Sequence, residues 1–149
     1  DEQENGKLFA IECKFSEAYS SMKHEGLKDK YLIENDLWLE FPNLLRLATR
    51  INPVDNDFTY LHAAQLIKHI LGLHKETDGK DFKLLYLRYD ALGYTGAKHR
   101  EEIEIFSEYA KKDGIFFFSK SYQELIISLA NDYREDHGKY VQYITERYL

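Results

Sequence analysis

The chain has 149 residues, 44% apolar and 31% charged, with one cysteine and two prolines. That is enough apolar material for one core-forming domain, and it excludes a disordered chain and a disulfide scaffold. Twenty basic against twenty-six acidic side chains give a net charge of −6, which argues against a protein that coats nucleic acid through its overall charge.

The chain starts at Asp1, which reads as a piece of something longer. Asn5-Gly6 suits a two-residue hairpin turn, because both positions tolerate positive φ. The partner strand of that hairpin belongs upstream of Asp1. Leu8–Phe15 is the first predicted strand. From Tyr19 the spacing turns helical: Tyr31, Leu37, Phe41, Leu44 and Leu47 recur at steps near three and four, interrupted at Pro42, which gives two short helices or one kinked one. Residues 58–74 make the strongest helix, with Leu61, Ala64, Ile67 and Leu71 on a broad apolar face. Lys83–Ala91 reads as a buried strand, Lys98–Lys112 as an amphipathic helix and Ile115–Ser119 as a second apolar strand. Ser121–Asn131 and Glu135–Leu149 are again helical. This order predicts an α/β fold with a mixed central sheet flanked by helices, and a parallel pair with a crossover helix in the second half. No apolar run reaches the roughly 20 residues of a membrane-crossing helix, and a lone cysteine suits a reducing, cytoplasmic setting.

Chemistry concentrates in Ile11-Glu12-Cys13-Lys14. Strand alternation puts Leu8, Ala10, Glu12 and Lys14 on one face, so the two charges project side by side roughly 7 Å apart. Cys13 falls on the other face, toward the core, and reads as a buried inert thiol. A carboxylate next to an ammonium fits a hydrolytic metal centre, in which the acid binds a hard cation and the lysine orients the attacking water. It fits a structural ion pair on an exposed sheet face equally well. Asp78-Gly79-Lys80 and Asp81-Phe82-Lys83 repeat the spacing in a polar turn and at a strand entrance, where a solvated pair needs no explanation. Inside an apolar strand, charge is costly unless paired or used.

The stretch Leu8-Phe9-Ala10-Ile11-Glu12-Cys13-Lys14-Phe15-Ser16-Glu17 resembles the third core strand of the PD-(D/E)XK nuclease superfamily, the restriction-endonuclease-like fold, and is most similar to its bacterial restriction-endonuclease-like branch. The likeness is closest in that stretch, continues through the Gln65-bearing helix and the following strand to cover residues 7–92, and extends more loosely over the rest. It implies a single domain over 1–149 that lacks the family's N-terminal helix and first strands, and a divalent-metal-dependent DNA endonuclease of restriction or defence type. By this resemblance Glu12 is a metal ligand for Mg²⁺ or Mn²⁺, the Cys13 backbone carbonyl completes the coordination, and Lys14 is the catalytic lysine. The family's Asp stands on the hairpin strand before the turn; Asp1, five residues before Gly6, falls within the turn, which puts that Asp upstream of this sequence. Without it, the resemblance implies a catalytically inactive nuclease-fold module for DNA binding or assembly.

Gln65 and His69 lie four residues apart on the strong helix with Lys68 beside them, and so share a face. They resemble the helix glutamine and following histidine of several superfamily branches; the plain alternative is a surface glutamine and a boundary histidine. Glu17 suits either support of Lys14 or a local capping role. Arg88 and Asp90 border the cleft or form a ladder pair, and Lys98-His99-Arg100 reads as a solvated loop at a helix start. Tyr140, Tyr143, Ile144 and Tyr148 give the last helix a stripe for packing or a homodimer contact. Residues 51–100 carry seven basic and six acidic groups and four of the six histidines, so a local basic cleft for DNA is compatible with the acidic total. The sequence has no Gly-x-Ser-x-Gly elbow, zinc-ligand cluster or phosphate-binding glycine loop.

Overall fold

Phe82–Arg88 (β2) carries apolar side chains on both faces, the pattern of a strand covered on both sides. In the computed structural model, which describes residues 8–20, 23–33, 35–132 and 134–148, β2 is the middle strand of a three-stranded sheet. Leu8–Lys14 (β1) lies on one side and Phe116–Ser121 (β3) on the other, both parallel to it. The sheet is therefore parallel throughout the described residues, not mixed. The antiparallel hairpin strand expected around Asn5-Gly6 falls outside them.

Parallel neighbours need crossovers. The chain between β1 and β2 folds into the short helices α1 (Asp29–Ile33) and α2 (Pro42–Arg50) and the longer α3 (Ala63–Thr77). Pro42 is at the start of α2, where its missing N–H costs nothing. α4 (Gly93–Lys112) crosses from β2 to β3, and the chain ends in α5 (Tyr122–Asp132) and α6 (Arg134–Tyr148). Among the described residues no helix is long and apolar enough to cross a membrane.

The register pairs Ala10 with Leu84, Glu12 with Tyr86 and Lys14 with Arg88. This face is the covered one. Leu84 and Tyr86 are buried here with Leu44, Leu66, Ile67, Ile70 and Phe106 in one core cluster. The Phe106 and Phe117 rings meet edge-on at 5.0 Å. The opposite face is partly open: Phe9, Ile11 and Phe116 are each more than half exposed. Cys13 belongs to that face and is exposed, which corrects the expectation of a buried thiol. Alternation separates Cys13 from Glu12, but the helices cover the side that carries the charges.

α4 begins a turn earlier than its sequence suggests, so Lys98-His99-Arg100 is helix and not a solvated loop. Gly93 takes a positive φ of 74° at the entry, and Gly96 packs so tightly on the Ala91 carbonyl that a Cβ has no room. Lys98 pairs with Glu101 at 3.0 Å and Arg100 with Asp90 at 2.7 Å. His99 points inward and is fully buried. On the last helix Val141 and Ile144 are buried while Tyr140 and Tyr143 remain exposed.

Candidate functional site

Glu12 and Lys14 stand near the carboxyl end of β1, the end at which open parallel sheets bind ligands. α3 runs along their face. Its residues Ala64, Leu66, Ile67, Ile70 and Leu71 are buried in the core, and this docking turns Gln65 and His69 toward β1. The structure brings these four side chains together. The Lys14 ammonium donates to Gln65 Oε1 at 3.1 Å, and Gln65 Nε2 donates to Glu12 Oε1 at 2.9 Å. Lys14 Nζ also lies 3.2 Å from Glu12 Oε1, and His69 Nδ1 lies 3.0 Å from Glu12 Oε2.

The network fixes its own polarity. An ammonium only donates and a carboxylate only accepts, so the Gln65 amide has one orientation that serves both. His69 must carry its proton on Nδ1 to donate to Glu12 Oε2. The Glu12 and Lys14 side chains are only 12% and 18% exposed, so these charges are tolerated because they are paired. Burial pushes the Glu12 carboxyl up, but the hydrogen bonds and charges of His69 and then Lys14 outweigh it and hold the group below its usual value.

A carboxyl lowered in the folded state adds stability above its unfolded value near 4.5, and that stability is lost as pH falls through the folded value. The wild-type urea midpoint should therefore fall more steeply than that of Glu12→Gln as pH drops from 4.5. Parallel decline in the two proteins would show that the network adds no pH-dependent stability.

Lys68, one residue before His69, is exposed and lines a cleft of about 650 Å³ that Lys14 also reaches. Lys23, Lys28 and Lys30 add three more ammonium groups from the irregular segment and the start of α1, against the two carboxylates of Glu17 and Glu25. Tyr31 and Tyr60 also line the cleft, and the His24 and His62 rings stack at 4.6 Å. Burial, reinforced by the positive charge of His24, Lys68 and Lys14, pushes the His62 imidazole down to about 4. Glu17 turns its carboxylate to the Phe15 N–H at 2.9 Å, a local cap on the chain leaving β1.

Two supports of the site escape sequence reasoning. Glu102 on α4 is fully buried and accepts the backbone N–H groups of Thr59, Tyr60 and Leu61 at 2.8, 2.8 and 2.9 Å. These residues form the entry to α3, so one carboxylate anchors the segment that delivers Gln65 and His69. From Tyr86, the register partner of Glu12, a chain runs through Tyr86 Oη, His99 Nε2, His99 Nδ1 and Tyr19 Oη with contacts of 3.1 and 3.0 Å, buried at Tyr86 and His99 and part-buried at Tyr19. Tyr19 gives its one proton to the Tyr89 carbonyl at 2.8 Å. It must accept from His99 Nδ1–H, which leaves Nε2 to accept from Tyr86. Burial pushes the His99 imidazole down to about 4, with the Arg88 charge acting in the same direction, so a neutral ring with a single tautomer links the two tyrosines.

Arg88 is buried at the end of β2 and pairs at 2.8 Å with Asp90, which lies just past the strand, so the two do not form the surface ladder pair expected of them. Among the described residues, no group of three or more His, Cys, Asp or Glu side chains is arranged to hold a metal ion. No family model, curated protein or solved structure matches the chain.

Proposed function

We propose that the chain is a divalent-metal-dependent DNA endonuclease of the PD-(D/E)XK type. The observation that carries this reading is the joining of Glu12, Lys14, Gln65 and His69 into one hydrogen-bonded unit beside a lysine-lined cleft. A surface ion pair would need neither the helix glutamine nor the cleft.

The donor chemistry fits a hard cation in part. Glu12 is held ionised and offers anionic oxygens, which Mg²⁺ and Mn²⁺ prefer. Glu12 and the Cys13 carbonyl would hold the ion together with a second carboxylate, and the position expected for that carboxylate lies outside the described residues. A bound cation supplies Lewis-acid polarisation of the phosphodiester and a more acidic water. Lys14 supplies a fixed positive charge that steadies the negative charge developing on the phosphate and orients the attacking water. Gln65 restrains Lys14 and Glu12 at once, so neither needs to reorganise during the reaction. His69 holds the second oxygen of Glu12.

A second reading has its own support. Both Glu12 oxygens already have protein partners in Lys14, Gln65 and His69, an arrangement that also suits a silent nuclease-fold module that binds DNA without cutting it. Calorimetric titration with Mn²⁺ separates the two. The nuclease reading expects saturable binding that Glu12→Gln removes. DNA binding with no Mn²⁺ binding assigns the chain to the silent reading.

A further inference from the structure

The cleft combines charge, recess and aromatic surface in a way that selects among nucleic acids. The chain as a whole carries −6, yet among the described residues Lys14, Lys23, Lys28, Lys30 and Lys68 line this cleft with the carboxylates of Glu17 and Glu25. That is a local field for a polyanion set in an acidic protein. At about 650 Å³, the space is in the range of a pocket for a small molecule or a short run of nucleotides. The Lys14 side chain at its wall is recessed, at 18% exposed, with Glu12 paired behind it at 3.2 Å. A stiff duplex resting on the surface keeps its phosphates outside such a recess, whereas an unpaired strand can bend its backbone into it.

Tyr31 and Tyr60 also line the cleft and are half-buried. Aromatic side chains along a basic groove are the usual means of holding unpaired bases, each stacked base contributing about 1–3 kcal/mol. In a duplex those base faces are already stacked on one another. Tyr60 is also held from behind, because its backbone N–H is bound by Glu102 and its ring packs on Tyr19 at 5.7 Å. It therefore presents a fixed surface to a base.

We propose that the cleft binds unpaired, single-stranded DNA, with the lysines following the phosphates and Tyr31 and Tyr60 meeting the bases. This inference rests on the nucleic-acid reading of the site and adds to it the strand state of the substrate. It is independent of whether the bound strand is cut.

The test is fluorescence anisotropy with the full chain in EDTA, using a short labelled DNA oligonucleotide and the same oligonucleotide annealed to its complement. The single strand should bind at least about 10-fold more tightly. Lys28→Glu combined with Lys30→Glu, both exposed positions, should weaken single-strand binding and flatten its salt dependence. Tyr60→Ala should weaken it by about 10-fold, and the lysine variant keeps the test decisive if loss of the Tyr60 ring disturbs folding. Equal or tighter binding of the duplex overturns the inference, as does unchanged binding by the lysine variant. Because EDTA removes the cation, the result stands apart from cleavage. Single-strand preference without cleavage in Mg²⁺ refutes the nuclease reading alone, and cleavage together with duplex preference refutes this inference alone.

Discussion

Replacing Lys14 by Ala is expected to reduce Mg²⁺-dependent DNA cleavage by at least about 10²–10³-fold while the protein stays folded. The reduction follows from the position of the ammonium, which contacts both Glu12 and Gln65 and lines the cleft proposed to take the phosphate. Folding should survive because Glu12 keeps Gln65 at 2.9 Å and His69 at 3.0 Å after the lysine is removed. The stability cost should stay within about 2 kcal/mol. Lys14→Arg is the informative companion. A guanidinium keeps the charge but is planar and forked, and it does not reproduce the point contact to Gln65 Oε1. It should recover little of the activity. Rate constants measured under single turnover, with circular dichroism as the check on folding, decide the matter, and cleavage retained by Lys14→Ala would remove Lys14 from the catalytic set.

The second large effect concerns Glu102 and is on stability. Removing the fully buried carboxylate by Glu102→Ala takes the acceptor from three backbone donors, a buried one at Leu61 and part-buried ones at Thr59 and Tyr60. Unsatisfied buried donors cost about 1–3 kcal/mol each, with partial relief if water enters. A loss of about 3–5 kcal/mol in urea unfolding is expected. Glu102→Gln should fall between wild type and Ala, since one amide oxygen still accepts while the NH₂ faces a donor. A loss under about 1 kcal/mol for Glu102→Ala would mean that the 59–61 segment finds other partners.

The two halves of the candidate site differ in how far they can be read from residues alone. Glu12 and Lys14 follow from period-two alternation within seven residues of strand, and Gln65 and His69 from the four-residue step of a helix. These are local rules. That the two pairs meet, across 51 and 53 residues of chain in the Lys14–Gln65 and Glu12–Gln65 bonds, is a property of how α3 docks on the sheet, and here only the likeness to a nuclease strand and helix pointed to it. The same local rule put Cys13 opposite Glu12 and then went wrong on which face is covered, because alternation separates two faces without saying which one meets the helices.

Glu102 and His99 lay beyond this kind of reading for a related reason. Their partners are 41 to 43 and 13 to 80 residues away. Their neighbours Glu101 and Lys98 give the start of α4 the look of a solvated surface. The glycines at 93 and 96 read as loop, although one serves a positive-φ entry and the other a close backbone approach. Lys23, Lys28 and Lys30 are scattered over an irregular segment and the start of α1, and only folding gathers them into the cleft.

The central claim is that Glu12, Lys14, Gln65 and His69 work as one unit in metal-dependent phosphodiester hydrolysis. The most direct measurement follows covalently closed circular DNA, offered in single- and double-stranded form, with the wild-type protein in Mg²⁺ or Mn²⁺, in EDTA, and with Glu12→Gln. The account predicts linear products from the wild-type protein with the cation, and intact circles in EDTA and with the variant. Intact circles in every lane, from a folded protein that binds the DNA, would contradict it.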